Sequence, residues 1–207
     1  MKALIITGKQ VQDQEFIYPY YRLQEDYEVD VAVRGKETVF GAIGLKIVPT
    51  RDIPASDEAD IRAREYDLLI LPGGAKAMEY MRQDTELLGY ISRFHLYGGV
   101  IGAICHAAQL LISARLVKER RISGYYSIKD DINNAGGTYV DAPFVTDGRI
   151  ITSPHYKHLG PWMKEVIQQS NLSHGMRYWN EKLQAQTALA PQPSQELGVL
   201  YAHLHEF

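Results

Sequence analysis

Apolar, β-branched runs alternate with helical patterns along most of this chain. Residues 3–7 are an apolar run closed by Gly8, which predicts a buried strand. Over residues 13–25, Phe16, Ile17, Tyr20 and Leu23 recur at helical spacing. Residues 27–33 alternate and predict a second strand, and residues 38–49 predict short strands around Gly41 and Gly44. The apolar run 66–71 ends in Pro72-Gly73-Gly74, and helical patterns come next at about 75–81 and 85–97. A strand over 100–104 then leads into Cys105 and a further helix. Strands alternating with helices predict parallel βαβ units, hence a doubly wound α/β sheet covered on both faces. Ligands of such sheets sit beyond the carboxyl ends of the strands. Gly73-Gly74 and Cys105 both fall at such ends.

After Leu116 the pattern is less regular. Residues 128–134 predict a short helix, 138–140 and 149–152 strands, and 155–169 a final core helix. Residues 1–170 therefore read as one domain. Residues 171–207 read as a C-terminal extension: a helix, a Pro-containing linker at 190–194, and an aromatic, histidine-bearing tail at 197–207, packed on the core or on a neighbouring subunit.

Composition narrows the function classes. The chain has 207 residues, 45% of them apolar and 23% charged, with a net charge of −3. Those values are ordinary for a globular protein, and no basic surface points to nucleic acid. No apolar run reaches the roughly 18 residues of a membrane helix. The N-terminus reads as a first strand, not a signal peptide, and with a single cysteine the expected location is the cytoplasm.

Cys105 is the sole cysteine, so it forms no internal disulfide. A sharp turn between strand and helix raises a nucleophile, and the N–H groups and dipole of the helix favour a thiolate. The alternative is a buried cysteine that acts as a small apolar residue. His106 takes the thiol proton only if Cys105 lies on the strained turn, because side chains at i and i+1 on a helix do not face each other. Glu15, early in the first helix, is also near the carboxyl edge of the sheet. It is either a buried acid with a raised pKa or a solvated carboxylate. Gly73-Gly74 allows backbone N–H groups to approach an oxyanion, or is a plain turn. His155 and His158 complete no metal set, and no phosphate-binding glycine motif is present. No metal or cofactor is expected.

Four motifs in this order resemble the ThiJ/PfpI superfamily, most closely its PfpI-like intracellular protease/amidase branch. They are Glu15-Phe16-Ile17-Tyr18-Pro19, Leu71-Pro72-Gly73-Gly74, Ala103-Ile104-Cys105-His106, and Ser127-Ile128-Lys129-Asp130-Asp131 leading to Asn134-Ala135-Gly136. The resemblance implies a three-layer α/β/α sandwich with a mostly parallel sheet, flavodoxin-like and similar to class I glutamine amidotransferases. It implies a cysteine nucleophile at Cys105, with Glu15 as the buried carboxyl beside it. Gly73 and Gly74 match an oxyanion-binding pair, and Tyr125 a pocket-lining tyrosine. Glu79 corresponds to a carboxylate that orients His106 of an adjacent subunit, which makes the protein a homodimer or hexamer. The implied activity is cysteine-dependent hydrolysis of a small-molecule or peptide amide or carbonyl adduct, in a family that spans protease, deglycase and glyoxalase-like reactions. The same thiol also suits a redox or stress sensor, and a metabolite-binding scaffold stays open. Ala107-Ala108, Tyr126 and Pro154 depart from the family pattern, in which Gly-Pro, proline and arginine are usual.

Overall fold

A computed structural model describes residues 1–54 and 64–189, with side chains described through Gln184. The expected linker and tail lie outside the described residues. The chain divides into two units, Met1–Ser173 and a second that begins at His174.

The first unit is built on a six-stranded sheet. Its strands are β1 (Lys2–Ile6), β2 (Glu28–Ala32), β5 (Leu68–Leu71), β6 (Val100–Ile104), β9 (Val145–Asp147) and β10 (Ile150–Ser153). They lie in the order β2-β1-β5-β6-β10-β9. Every pairing is parallel except β9 with β10. The strands that read as continuous apolar runs are the central ones: β5 and β6 are buried along their whole length, as a sheet covered on both faces requires. Two small pairs lie outside it, an antiparallel one of β3 (Val39–Phe40) with β4 (Lys46–Ile47), and a parallel one of β7 (Arg121–Ile122) with β8 (Thr138–Tyr139).

The helices among the described residues are α1 (Asp13–Gln24), α2 (Ala75–Met81), α3 (Thr85–Leu96), α4 (Ala108–Ser113), α5 (Lys129–Asn134) and α6 (Leu159–Leu189). A Cβ on Gly102 of β6 would touch Val166 and Trp162, so the first turns of α6 lie directly over the central sheet. Trp162 is fully buried, with its indole N–H donating to the Ile151 carbonyl at 3.2 Å. The first turn of α1 is fixed by Asp13, whose buried carboxylate accepts from the Ile43 and Leu45 N–H groups at 2.9 and 2.8 Å. That anchor ties α1 to the β3–β4 turn and sets the position of Glu15.

The largest difference from expectation is α6. The pattern predicts a helix over 155–169, but a 3-10 turn occupies Tyr156–His158 and the helix runs from Leu159 to Leu189. His155 caps the turn by accepting from the Lys157 N–H at 3.2 Å, which delays the start. Beyond Gln169 the segment carries helix formers and no proline before Pro191, so nothing stops the helix where the core ends.

Candidate active site

The carboxyl ends of β5 and β6 meet α1 at one point. Ile104 is extended, and the chain then reverses at Cys105 into a 3-10 turn, Cys105–Ala107, that feeds α4. Cys105 has φ = 62°, a left-handed conformation that costs a non-glycine residue on the order of 1–3 kcal/mol. The Tyr125 N–H donates to the Cys105 carbonyl at 3.1 Å and helps hold the turn.

The loop after β5 can lie against this turn only because it is glycine. A Cβ on Gly73 would stand 2.6 Å from Glu15 Oε2, 2.7 Å from the Ile104 carbonyl oxygen and 2.8 Å from Cys105 Cβ. Gly74 has φ = 109°, and a Cβ there would meet the Gln10 carbonyl oxygen at 2.7 Å. The Gly73 N–H donates to Glu15 Oε2 at 2.9 Å, so it is not free to receive an oxyanion, contrary to expectation. The Gly74 and His106 N–H groups point at the Cys105 thiol instead and favour its ionised form.

Glu15 is wholly buried. Its Oε1 has no hydrogen-bond partner of good geometry, although the carboxyl interacts with the Cys105 thiol. Burial raises its pKa from 4.5 to about 7, against smaller opposing effects of Cys105 and the Gly73 N–H. Of the two readings open from sequence, the structure selects the buried acid.

The thiol departs from expectation. Cys105 is 6% exposed, and burial, reinforced by the negative charge of Glu15, pushes its pKa well above the ordinary range. The reasoning from a helix start fails here because desolvation and a neighbouring carboxylate outweigh two N–H groups and the dipole of a short helix. The resting thiol is protonated, and its proton has a nearby acceptor. His106 Nδ1 lies 3.3 Å from Cys105 Sγ. Burial holds the His106 pKa below its usual value, which keeps the ring neutral. The adjacent residues face each other because the left-handed turn takes Cys105 off the helical path, as their cooperation requires.

The other ring nitrogen, Nε2, lies 3.4 Å from Ser127 Oγ. Tyr125 stacks on the His106 ring with centroids 4.6 Å apart, and His155 stacks on Tyr125 at 5.9 Å. Tyr126 and Tyr156 extend this cluster at 4.5 Å from Tyr125 and 3.9 Å from His155. Sequence reasoning drew no role for Ser127 and dismissed His155. The available signal was position: His155 comes after β10 as Cys105 comes after β6, at the same edge of the sheet. Glu79 is exposed on α2 and pairs with Lys76, so within one chain it does not serve His106.

Among the described residues, three clefts of about 430–590 Å³ are lined by residues other than Cys105. One of about 590 Å³ is lined by Tyr18, Arg22 and Met163 among others, and one of about 430 Å³ by residues that include Thr7, Arg34 and Tyr80. Among the described residues, no three His, Cys, Asp or Glu side chains gather closely enough to hold a metal ion, and no helix is long and apolar enough to cross a membrane.

Residues 1–169 match the model of the DJ-1/PfpI family. A deglycase of Pyrococcus horikoshii is 36% identical over 171 residues, covering 81% of this chain and 98% of the relative. A Bacillus subtilis protein whose name proposes a cysteine protease is 33% identical, covering 73% of this chain and 88% of its own. Among solved structures, the similar part of an Anabaena variabilis protein with DJ-1/ThiJ/PfpI-like and ferritin-like domains superposes with a TM-score of 0.75 at 30% identity, covering 81% of this chain and 47% of that one. Schizosaccharomyces pombe DJ-1 gives 0.72 at 19% identity over 85% of this chain and 98% of its own, a likeness of fold.

Proposed function

The chain belongs to the DJ-1/PfpI family, and from that premise we propose that it is a cysteine-dependent hydrolase in which Cys105 attacks the carbonyl carbon of a small-molecule or peptide amide or carbonyl adduct. One observation carries the reading: a thiol on a strained strand-to-helix turn, 3.3 Å from a neutral imidazole nitrogen. Relatives named as a deglycase and as a proposed cysteine protease support the same class.

For an amide the steps derive from the geometry. As sulfur adds to the carbonyl carbon, its proton passes to His106 Nδ1. The carbonyl oxygen takes up the negative charge near the Gly74 N–H and the start of the turn. The C–N bond then breaks, the amine departs with the proton from His106, and Cys105 is left as a thioester. Water, deprotonated by His106, hydrolyses the thioester and restores the thiol. Protonation of Glu15 removes the negative charge beside sulfur while the thiolate develops, so the buried carboxyl favours this step in its neutral form.

The Ser127 hydroxyl is a weak orienter for an imidazole that becomes cationic. A carboxylate from outside the chain completes the site, and Glu79 of an adjacent subunit is exposed and of the right chemistry. The burial and raised pKa of Cys105 weigh against a peroxide sensor, which relies on an exposed thiolate.

The test is turnover of a panel of amides and α-oxoaldehyde adducts by the native chain, Cys105→Ala and Cys105→Ser. Loss of at least about 10³-fold in both variants is expected. Unchanged turnover of any accepted substrate overturns the assignment.

A further inference from the structure

The proposed reaction needs the His106 ring but not the row of rings built onto it. From His106 the row passes to Tyr125, stacked at 4.6 Å with 28° between the planes. Tyr125 in turn meets Tyr126 at 4.5 Å and His155 at 5.9 Å, and His155 meets Tyr156 at 3.9 Å. Exposure grows along the row. His106, Tyr125 and His155 are half-buried, whereas Tyr156 is 39% exposed and Tyr126 72%. The fold packs the inner rings and leaves contact surface on the outer ones.

Position ties this surface to the thiol. The Tyr125 N–H donates to the Cys105 carbonyl at 3.1 Å, and His106 Nδ1 lies 3.3 Å from Cys105 Sγ. A group attached to a carbonyl carbon at that sulfur has the rings as a neighbouring wall. The chemistry of the wall sorts such groups. Ring faces carry partial negative charge, which disfavours a carboxylate or phosphate laid on them. A cation would suit the faces alone. However, burial lowers the His155 pKa and the positive charges of Lys157 and His158 lower it further, so a cation placed there meets the same repulsion. An uncharged aromatic ring meets neither objection and gains the offset-stacked contact.

We propose that the site prefers substrates with an uncharged aromatic group beside the reacting carbonyl, seated at the Tyr126 end of the row. The inference rests on the assignment of Cys105 as the nucleophile and adds the substrate class to it. Tyr126 is then a specificity-determining residue, and its ring rather than its hydroxyl makes the contact.

The experiment reads the wall without requiring turnover. Cys105 is the sole cysteine, so alkylation of the full chain followed by mass spectrometry reports on one sulfur. In each reaction sulfur displaces iodide and the thiol proton is released. Rates are compared for the N-phenyl and N-cyclohexyl derivatives of iodoacetamide, each divided by its rate with free glutathione. The saturated ring separates stacking from simple apolar contact. The native chain should favour the phenyl reagent by about fivefold after this correction. Tyr126→Phe should keep the preference and Tyr126→Ala should lose most of it, with circular dichroism confirming that each remains folded. Equal corrected rates in the native chain overturn the inference, as does a preference that Tyr126→Ala retains. So does a preference seen only at dilution, since the rings then face a second copy of the chain on assembly. A chain that shows the preference but hydrolyses no substrate retains the aromatic seat and refutes only the hydrolase assignment.

Discussion

Replacing Glu15 by glutamine removes the charge of a wholly buried carboxylate while keeping its shape. The carboxyl pKa rises from 4.5 to about 7, chiefly through desolvation. At 1.36 kcal/mol per pH unit, that shift amounts to about 3 kcal/mol. The sign is set by proton binding: the folded chain holds this proton more tightly than the unfolded chain. The stability it contributes is complete below pH 4.5 and is lost as pH rises through about 7. Glutamine does not titrate. The stability of Glu15→Gln relative to the native chain should therefore rise by about 3 kcal/mol between pH 4.5 and pH 8. Titrations common to both chains cancel in that difference, with Cys105 the exception because Glu15 acts on it directly. Urea unfolding at a series of pH values measures the quantity, and labelling of Cys105 by iodoacetamide gives a second readout. Loss of the neighbouring charge should lower the thiol pKa and speed labelling in the variant at fixed pH. A stability difference flat to within 1 kcal/mol across the range would refute the assignment of Glu15 as a buried, proton-holding acid.

Gly73→Ala should destabilise the chain by about 3 kcal/mol in urea and abolish turnover, because its Cβ would stand 2.7 Å from the Ile104 carbonyl oxygen, which no rotamer change relieves. Asp13→Ala should cost about 3 kcal/mol in the same assay, since it leaves the Ile43 and Leu45 N–H groups without their charged acceptor. Ser127→Ala should lower kcat only a few-fold, whereas His106→Ala should lower it by about 10²-fold or more; equal losses would assign the orienting role to the hydroxyl. His95 is held neutral, with its pKa lowered to about 4 by burial and by Arg120 and Arg149. Its stability contribution is present above pH 6.5 and is lost as pH falls toward 4, so His95→Gln should flatten the acid limb of the urea midpoint against pH.

Much of the site was legible in the sequence because parallel topology has few solutions. Once residues 3–7, 66–71 and 100–104 read as buried parallel strands, the segments leaving their carboxyl ends share one edge, and Glu15, Gly73, Gly74 and Cys105 converge there. A sharp turn at Cys105 was likewise implied by a strand running straight into a helix, while its left-handed conformation is a finding of the structure. Helix boundaries were legible where apolar periodicity was strong, as over Ala75–Met81, and not where a core helix ran on as a solvent-facing one past Gln169.

Tertiary structure alone decided the electrostatics and the long-range neighbours. A pKa depends on how much water is excluded around a group and on which charges share its cavity, and neither has a sequence period. Burial made Glu15 a proton holder near neutrality, and the same burial beside the same carboxylate raised the Cys105 thiol where helix position argued for lowering it. The contacts of His106 with Ser127 and, through Tyr125, with His155 join segments far apart in the chain that only the packed sheet edge brings within reach.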